Sequence, residues 1–222
     1  NVVPEYIDEN IYYLGQSYCF VWQNINNDIF FNGNYLSNNQ EFDQYLRRFG
    51  YKFKNENKEH GGYAILRNKK IALVMDVGST PIKKFTKDYQ SGALSFEIIS
   101  KGKKIISNSG YFDKKKNKFN ILTKSTALQS TLIIEDYSSC NFIKNEKLEH
   151  LIKQGLKISK KNIVCEDNYW KISAAHDGYF QKFNLIHERT MEFYPEQEKF
   201  IGFDKILRKK KNRNIKFDIR FH

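Results

Sequence analysis

Residues 125–136 read STALQSTLIIED. Thr126, Leu128, Ser130, Leu132 and Ile134 alternate with Ala127, Gln129, Thr131 and Ile133, the period-two pattern of a β-strand. An amide among small hydroxyl residues raises a question. Gln129 is either an ordinary strand residue or stands where a histidine could be expected.

The text around this stretch repeats the pattern. GYAILR (62–67) and KIALVMDVG (70–78) are two such runs joined by NKK, a hairpin signal. ALSFEIIS and KKIISNSG meet around Lys101 and Gly102. Further strands are expected in KFNILTK, KNIVCED, YWKISAAH, FNLIHERTMEFYP, EKFIGFDKIL and IKFDIRFH. Many short strands between turn residues predict an all-β fold, an antiparallel multi-stranded sandwich or stacked-sheet roll. Before them, Ile7, Ile11, Leu14, Tyr18 and Val21 recur at helical steps across residues 5–25. A second short helix is expected at NNQEFDQYLRRFG (38–50), and one or two helical turns at NEKLEHLIKQG (145–155). The chain therefore divides into a helical segment, 1–27, and a β-domain, 28–222.

The composition supports this. The 222 residues are 40% hydrophobic, with 18 Phe and 14 Tyr but 3 Pro, enough for one large β-domain with wide aromatic faces. There is no apolar run long enough for a transmembrane helix, so no membrane insertion is expected. The opening NVVPEYIDEN has no start methionine, basic n-region or apolar core, so it reads as an internal start and not a signal peptide. The formal net charge of +12 suits an anionic partner: nucleic acid, a membrane surface or an acidic polysaccharide. Much of the excess sits in KKKNK (114–118) and RKKKNR (208–213), which read as solvated loops. No RRM, KH or OB signature is present, so no specific nucleic-acid partner is expected. Three cysteines, Cys19, Cys140 and Cys165, lack CxxC spacing and do not read as a thiolate metal site.

Chemistry rests on few residues. His60 and His150 lie in polar, charged surroundings and read as solvent-facing. His176 opens HDGY directly after a strand. An imidazole beside a carboxylate at a strand end suits a metal ligand or an oriented base, and Asp177–Gly178 equally suits a plain turn. His187 lies in LIHERTMEF, its face shared with Leu185, Arg189 and Met191. His222 ends FDIRFH on the face of Lys216, Asp218 and Arg220, opposite Phe217, Ile219 and Phe221. No HExxH, GxSxG, GxGxxG or P-loop occurs.

Taken in order, GGYAILRNKKIALVMDVG, GALSFEIISKGKKIISNSG, STALQSTLIIEDYSSC, HDGYFQKFNLIHERTMEF and the closing FDIRFH resemble the C-terminal β-domain of heparinase II/III-like proteins. Residues 1–27 resemble the last helix of the α-toroid that precedes it. The resemblance implies a polysaccharide lyase that cleaves a uronic-acid-containing glycan, such as a glycosaminoglycan, by β-elimination. It also implies a cell-envelope or periplasmic location and a toroid that supplies the catalytic tyrosine. The isolated β-domain is then expected to be a weak catalyst or none. Tyr6, Tyr12, Tyr13 and Tyr18 read as helix-packing residues. The alternative is a non-catalytic module that binds an anionic glycan.

By the same resemblance, Gln129 replaces a histidine that binds a structural metal, commonly zinc, or lines the active-site wall. The other ligands would be Asp177, or His176 itself, and His222. A carboxamide is a poor zinc ligand beside imidazole, which weakens the expectation of zinc. His176 and Arg189 are the catalytic candidates, and Arg189 and His187 the candidates for holding substrate carboxylate, a task suited to the bidentate guanidinium.

Overall fold

The computed structural model describes residues 57–222 apart from 69, 83–85, 87–88, 102, 111–117, 144–150 and 209–213, together with three short strands nearer the N-terminus. Those are β1 (Trp22–Gln23), β2 (Ile29–Phe31) and β3 (Asn34–Tyr35), one antiparallel sheet in sequence order. The helix expected over 5–25 therefore gives way to strand at Trp22–Gln23. Its remaining residues, and the helix expected at 38–50, lie outside the described residues.

Two larger sheets carry the domain. The first runs β4 (Lys58–His60), β5 (Tyr63–Arg67), β6 (Ile71–Asp76), β7 (Phe96–Ser100) and β8 (Lys103–Ile106), all antiparallel neighbours. The expected hairpin at 68–70 is present. Asn68 closes it, its Oδ1 accepting from the Lys70 and Ile71 amides at 2.8 and 2.9 Å. The second hairpin turns at Lys101, which takes a left-handed φ of 48°. Every residue of β6 is buried, on the side that meets the second sheet and on the side where Tyr63, Ala72, Val74 and Ile99 cluster.

In the chain, β9 (Leu132–Ile134), β10 (Asn141–Phe142) and β11 (Ile152–Gln154) come next. The second large sheet is formed by β12 (Ile158–Cys165), β13 (Trp170–His176), β14 (Leu185–Tyr194) and β15 (Lys199–Arg208), again antiparallel and in order. The last strand, β16 (Phe217–Ile219), pairs with β9. β14 alternates buried and half-buried residues along its whole length, the pattern of a strand with one face on a core. Leu66, Leu73, Met75 and Phe96 from the first sheet pack against Trp170, Ile172, Met191 and Phe193 from the second. The result is a sandwich of antiparallel sheets, as the alternating text predicts. Among the described residues, no helix is long and apolar enough to cross a membrane.

Three expectations fail locally. KFNILTK is a helix, α1 (Lys118–Thr123), where a strand was expected. The hydroxyls of Thr123 and Ser125 bond the carbonyls of Asn120 and Leu122, three residues back, and close helical turns that a strand would leave open. In STALQSTLIIED only Leu132–Ile134 is strand, and Thr126–Leu128 is a 3₁₀ turn. There the Ser138 hydroxyl takes the Thr126 amide and the Thr126 hydroxyl takes the Ser91 carbonyl, so hydroxyl groups capture the backbone before a ladder can form. Ile152–Gln154, expected as helix, is strand.

Candidate functional site

β14 brings the chemistry-bearing side chains to one place. Its buried face presents His187 and Arg189, with His176 of β13 directly across from His187 and Asp204 of β15 directly across from Arg189. The four side chains form one chain of hydrogen bonds. The Gly178 amide lies 3.1 Å from His176 Nδ1, His176 Nε2 lies 3.1 Å from His187 Nδ1, and His187 Nε2 lies 2.6 Å from Asp204 Oδ1. From the other side Arg189 donates through Nε to Asp204 Oδ1 at 2.8 Å and through Nη2 to Oδ2 at 2.9 Å.

This order fixes both tautomers. An amide can only donate, so His176 Nδ1 is an acceptor and its proton sits on Nε2. That N–H points at His187 Nδ1, which must then accept, and His187 carries its own proton on Nε2, facing the carboxylate. A second proton on either ring would set donor against donor. Both imidazoles are accordingly held neutral. Burial pushes the His176 pKa well below the usual histidine range, helped by the neighbouring His187 and the positive charge of Arg189. Burial and Arg189 also lower His187, although the Asp204 carboxylate pulls the other way. Burial alone would raise Asp204, but hydrogen bonds from His187 and Arg189 outweigh it and hold the carboxyl at about 2.

Arg189 then reaches beyond its own sheet. Its Nη1 donates to the carbonyls of Leu94 and Ser130, each at 2.9 Å. Leu94 is buried with a left-handed φ of 58°, which costs a residue with a Cβ on the order of 1–2 kcal/mol. Arg189 holds its carbonyl, and the Asp76 carbonyl accepts its amide at 2.9 Å. The guanidinium therefore pins the turn before β7 and the loop before β9 to β14.

Gly178 closes the far end. A Cβ there would collide with the Ser139 carbonyl and crowd His176 Nδ1, so only glycine lets the amide reach the imidazole. Asp177 does the turning, as the simpler reading of HDGY predicts. Its Oδ1 accepts the Lys157 amide at 2.7 Å, and its carbonyl accepts the Phe180 amide at 2.8 Å.

Against this geometry the candidate residues sort clearly. His176, His187 and Arg189 converge, but each is 1% exposed or less. Their burial points to positioning work, and the expected roles of His176 and Arg189 in catalysis and of Arg189 and His187 in holding substrate stay proposals. Asp177 is exposed and His222 is exposed, whereas Gln129 is fully buried. The His222 amide and carbonyl, not its ring, bind the Ser130 hydroxyl and the Ser107 amide. Gln129 donates through Nε2 to the Thr123 carbonyl at 3.0 Å and leaves its buried Oε1 without a hydrogen-bond partner. Among the described residues, no three His, Cys, Asp or Glu side chains gather as a metal site requires. As the fold places them, Gln129, Asp177 and His222 do not fit zinc. Asp204, the centre of the network, is absent from the residues singled out by sequence.

The sandwich thus carries a buried relay on the core-facing side of its second large sheet. The chain belongs to the heparinase II/III-like family: residues 54–222 match the model described as "Heparinase II/III-like, C-terminal". Among solved structures it is similar to the heparan sulfate lyase HepC from Pedobacter heparinus, at 16% identity and a TM-score of 0.55, covering 76% of this chain and 27% of that one. It is also similar to a heparinase III, the BT4657 gene product, at 17% identity and a TM-score of 0.51, covering 77% of this chain and 26% of that one. The chain thus spans about a quarter of the length of these structural relatives. A search of curated protein sequences found no match.

Proposed function

We propose that this β-domain works within a polysaccharide lyase that cleaves a uronic-acid-containing glycan by β-elimination. The match to the heparinase II/III-like C-terminal family over 54–222 carries the reading, and the net charge of +12 agrees with a polyanionic substrate. In such a reaction a base removes the proton at C5 of the uronate. The electron pair forms the C4–C5 double bond, the C4–O bond breaks, and an acid protonates the departing oxygen. Neutralising the uronate carboxylate lowers the cost of the first step.

The described residues supply scaffold to this chemistry. His176, His187, Asp204 and Arg189 are sealed together and hold the loops around Leu94 and Ser130 in place. The proton-transferring groups are assigned to the preceding toroid of the parent protein. A polysaccharide of this kind lies outside the cytoplasm, which is the reason for placing the protein in the cell envelope, to be checked by fractionation.

A second reading, a non-catalytic module that binds an anionic glycan, is favoured by the burial of both histidines and of Arg189. Incubating the protein at its full natural length with heparan sulfate and other uronate polysaccharides separates the two. New ultraviolet absorbance from C4–C5 unsaturated ends is expected for the lyase. Retention on the glycan with no new absorbance favours the module.

A further inference from the structure

We infer that the outer face of the β12–β15 sheet is a second, non-catalytic site for an acidic polysaccharide, an inference that rests on the acidic-glycan reading above. The strand register lines up side chains across this face. Ser173, Thr190 and Phe203 stand in one row, and Phe203 is 54% exposed, an open ring beside Thr190 with Ser173 one strand further on. Such a ring with adjacent hydroxyls suits a pyranose, whose C–H face stacks on the aromatic while its hydroxyls find hydrogen-bond partners.

Charge decides which sugar. Lys171, Lys199 and Lys205 belong to the same face, since residues 171 and 173, and 199, 203 and 205, fall at period two. Among the described residues none of the three has an ion-pair partner. The face also carries two acids. Glu188 is paired with Lys160 at 3.0 Å. Glu192 accepts hydroxyls from Tyr169 at 2.9 Å and from Tyr194 at 3.1 Å. With Glu188 paired to Lys160, the three other lysines outnumber the one remaining carboxylate, Glu192, around an exposed ring. Lys199 and Lys205 are six residues apart on one strand, about 20 Å, a span suited to an oligosaccharide more than to a single sugar. Phe203 and the three lysines lie away from the sealed relay, whose side chains occupy the opposite face.

The test is calorimetric titration of a heparin oligosaccharide into the protein, the F203A variant and a K171Q/K199Q/K205Q variant, with circular dichroism as the check on folding. Phe203 is largely exposed, so its removal leaves the core intact. Each variant is expected to bind about tenfold more weakly or worse than the unaltered protein, a loss of about 1.4 kcal/mol. If the unaltered protein binds and both variants bind as tightly, the outer face is not the site and the acidic-glycan reading still stands. If the unaltered protein binds neither heparin nor any other uronate oligosaccharide tried in its place, both fall. If single-stranded DNA of equal charge displaces the glycan equally well, the face is a general polyanion surface and the glycan assignment is overturned.

Discussion

Arg189 and Asp204 meet across β14 and β15 in a two-pronged bond, Nε to Oδ1 at 2.8 Å and Nη2 to Oδ2 at 2.9 Å, with the guanidinium almost wholly buried. The pair is more than an ion pair, because the same guanidinium carries the carbonyls of Leu94 and Ser130. Replacing Arg189 with Leu leaves the Asp204 carboxylate with His187 as its remaining donor and without its counter-charge, and removes the Arg189 donor from two carbonyls, and about 3–5 kcal/mol of stability should be lost. Arg189→Lys should recover little of it, since an ammonium cannot span both carboxylate oxygens and both carbonyls. Adding Asp204→Asn to Arg189→Leu should restore part of the loss, because the unpaired charge goes. Urea denaturation of the single and double variants reads the coupling, and additive losses would contradict it.

Gly178 tests the other end of the relay. Gly178→Ala places a methyl group against the Ser139 carbonyl and His176 Nδ1. The turn must open, which should cost at least about 1–3 kcal/mol. The His176 ring also loses the amide that fixes its tautomer, a change visible in its nitrogen chemical shifts. A variant as stable as the parent with unchanged shifts would show that the amide does not set the relay.

Acid should weaken the relay in a defined direction. His176 and His187 have folded pKa values below the ordinary 6.5, so below that pH the unfolded chain binds protons that the folded chain refuses. Their contribution to stability is complete above about 6.5 and declines as pH falls, by up to about 1.4 kcal/mol per pH unit for each histidine. Asp76 acts in the opposite sense. Burial raises it to about 7, so its contribution is present at low pH and lost as pH rises towards 7. Because the two effects offset, the informative quantity is a difference. His187→Gln should be clearly less stable than the parent at pH 8, and the gap should shrink as pH falls from 6.5 to 5. A gap independent of pH would mean that His187 does not stay neutral on folding.

How much of this was legible in the chain can be traced residue by residue. The sandwich strands were readable because LIHERTMEFY and its neighbours alternate strictly, and burial follows that alternation along β14. Asp204 was also within reach. A tight turn at Pro195–Gln197 joins FNLIHERTMEFYP to EKFIGFDKIL, and pairing Tyr194 with Lys199 sets Asp204 opposite Arg189. The carbonyls of Leu94 and Ser130 were not readable, because no side-chain pattern records where a backbone oxygen will point. Residues 118–131 misled for a related reason: period-two spacing there competes with Ser and Thr hydroxyls that capture the backbone. The family resemblance placed Gln129 in a metal set, but the fold leaves Asp177 and His222 on the surface.

That separation makes a sharp prediction for Gln129→His. The substitution adds an imidazole to a buried position, but both ring nitrogens of His176 are already engaged and Asp177 and His222 are exposed. Zinc needs about four ligands in a closed structural site. Elemental analysis of the purified variant should therefore find no zinc above the parent's level, and calorimetric titration no gain in affinity. About one zinc per chain in the variant alone would mean that the ligands do converge.

On the proposed function, the protein breaks an acidic polysaccharide by elimination. Mass spectrometry of the products from heparan sulfate treated with the full-length protein tests it most directly. The account predicts new non-reducing ends that are unsaturated uronates, with no water added across the cleaved bond. Fragments that have each gained a water would mean hydrolysis, and intact polymer from every uronate glycan tried would mean that the domain binds without cleaving. Either result would contradict it.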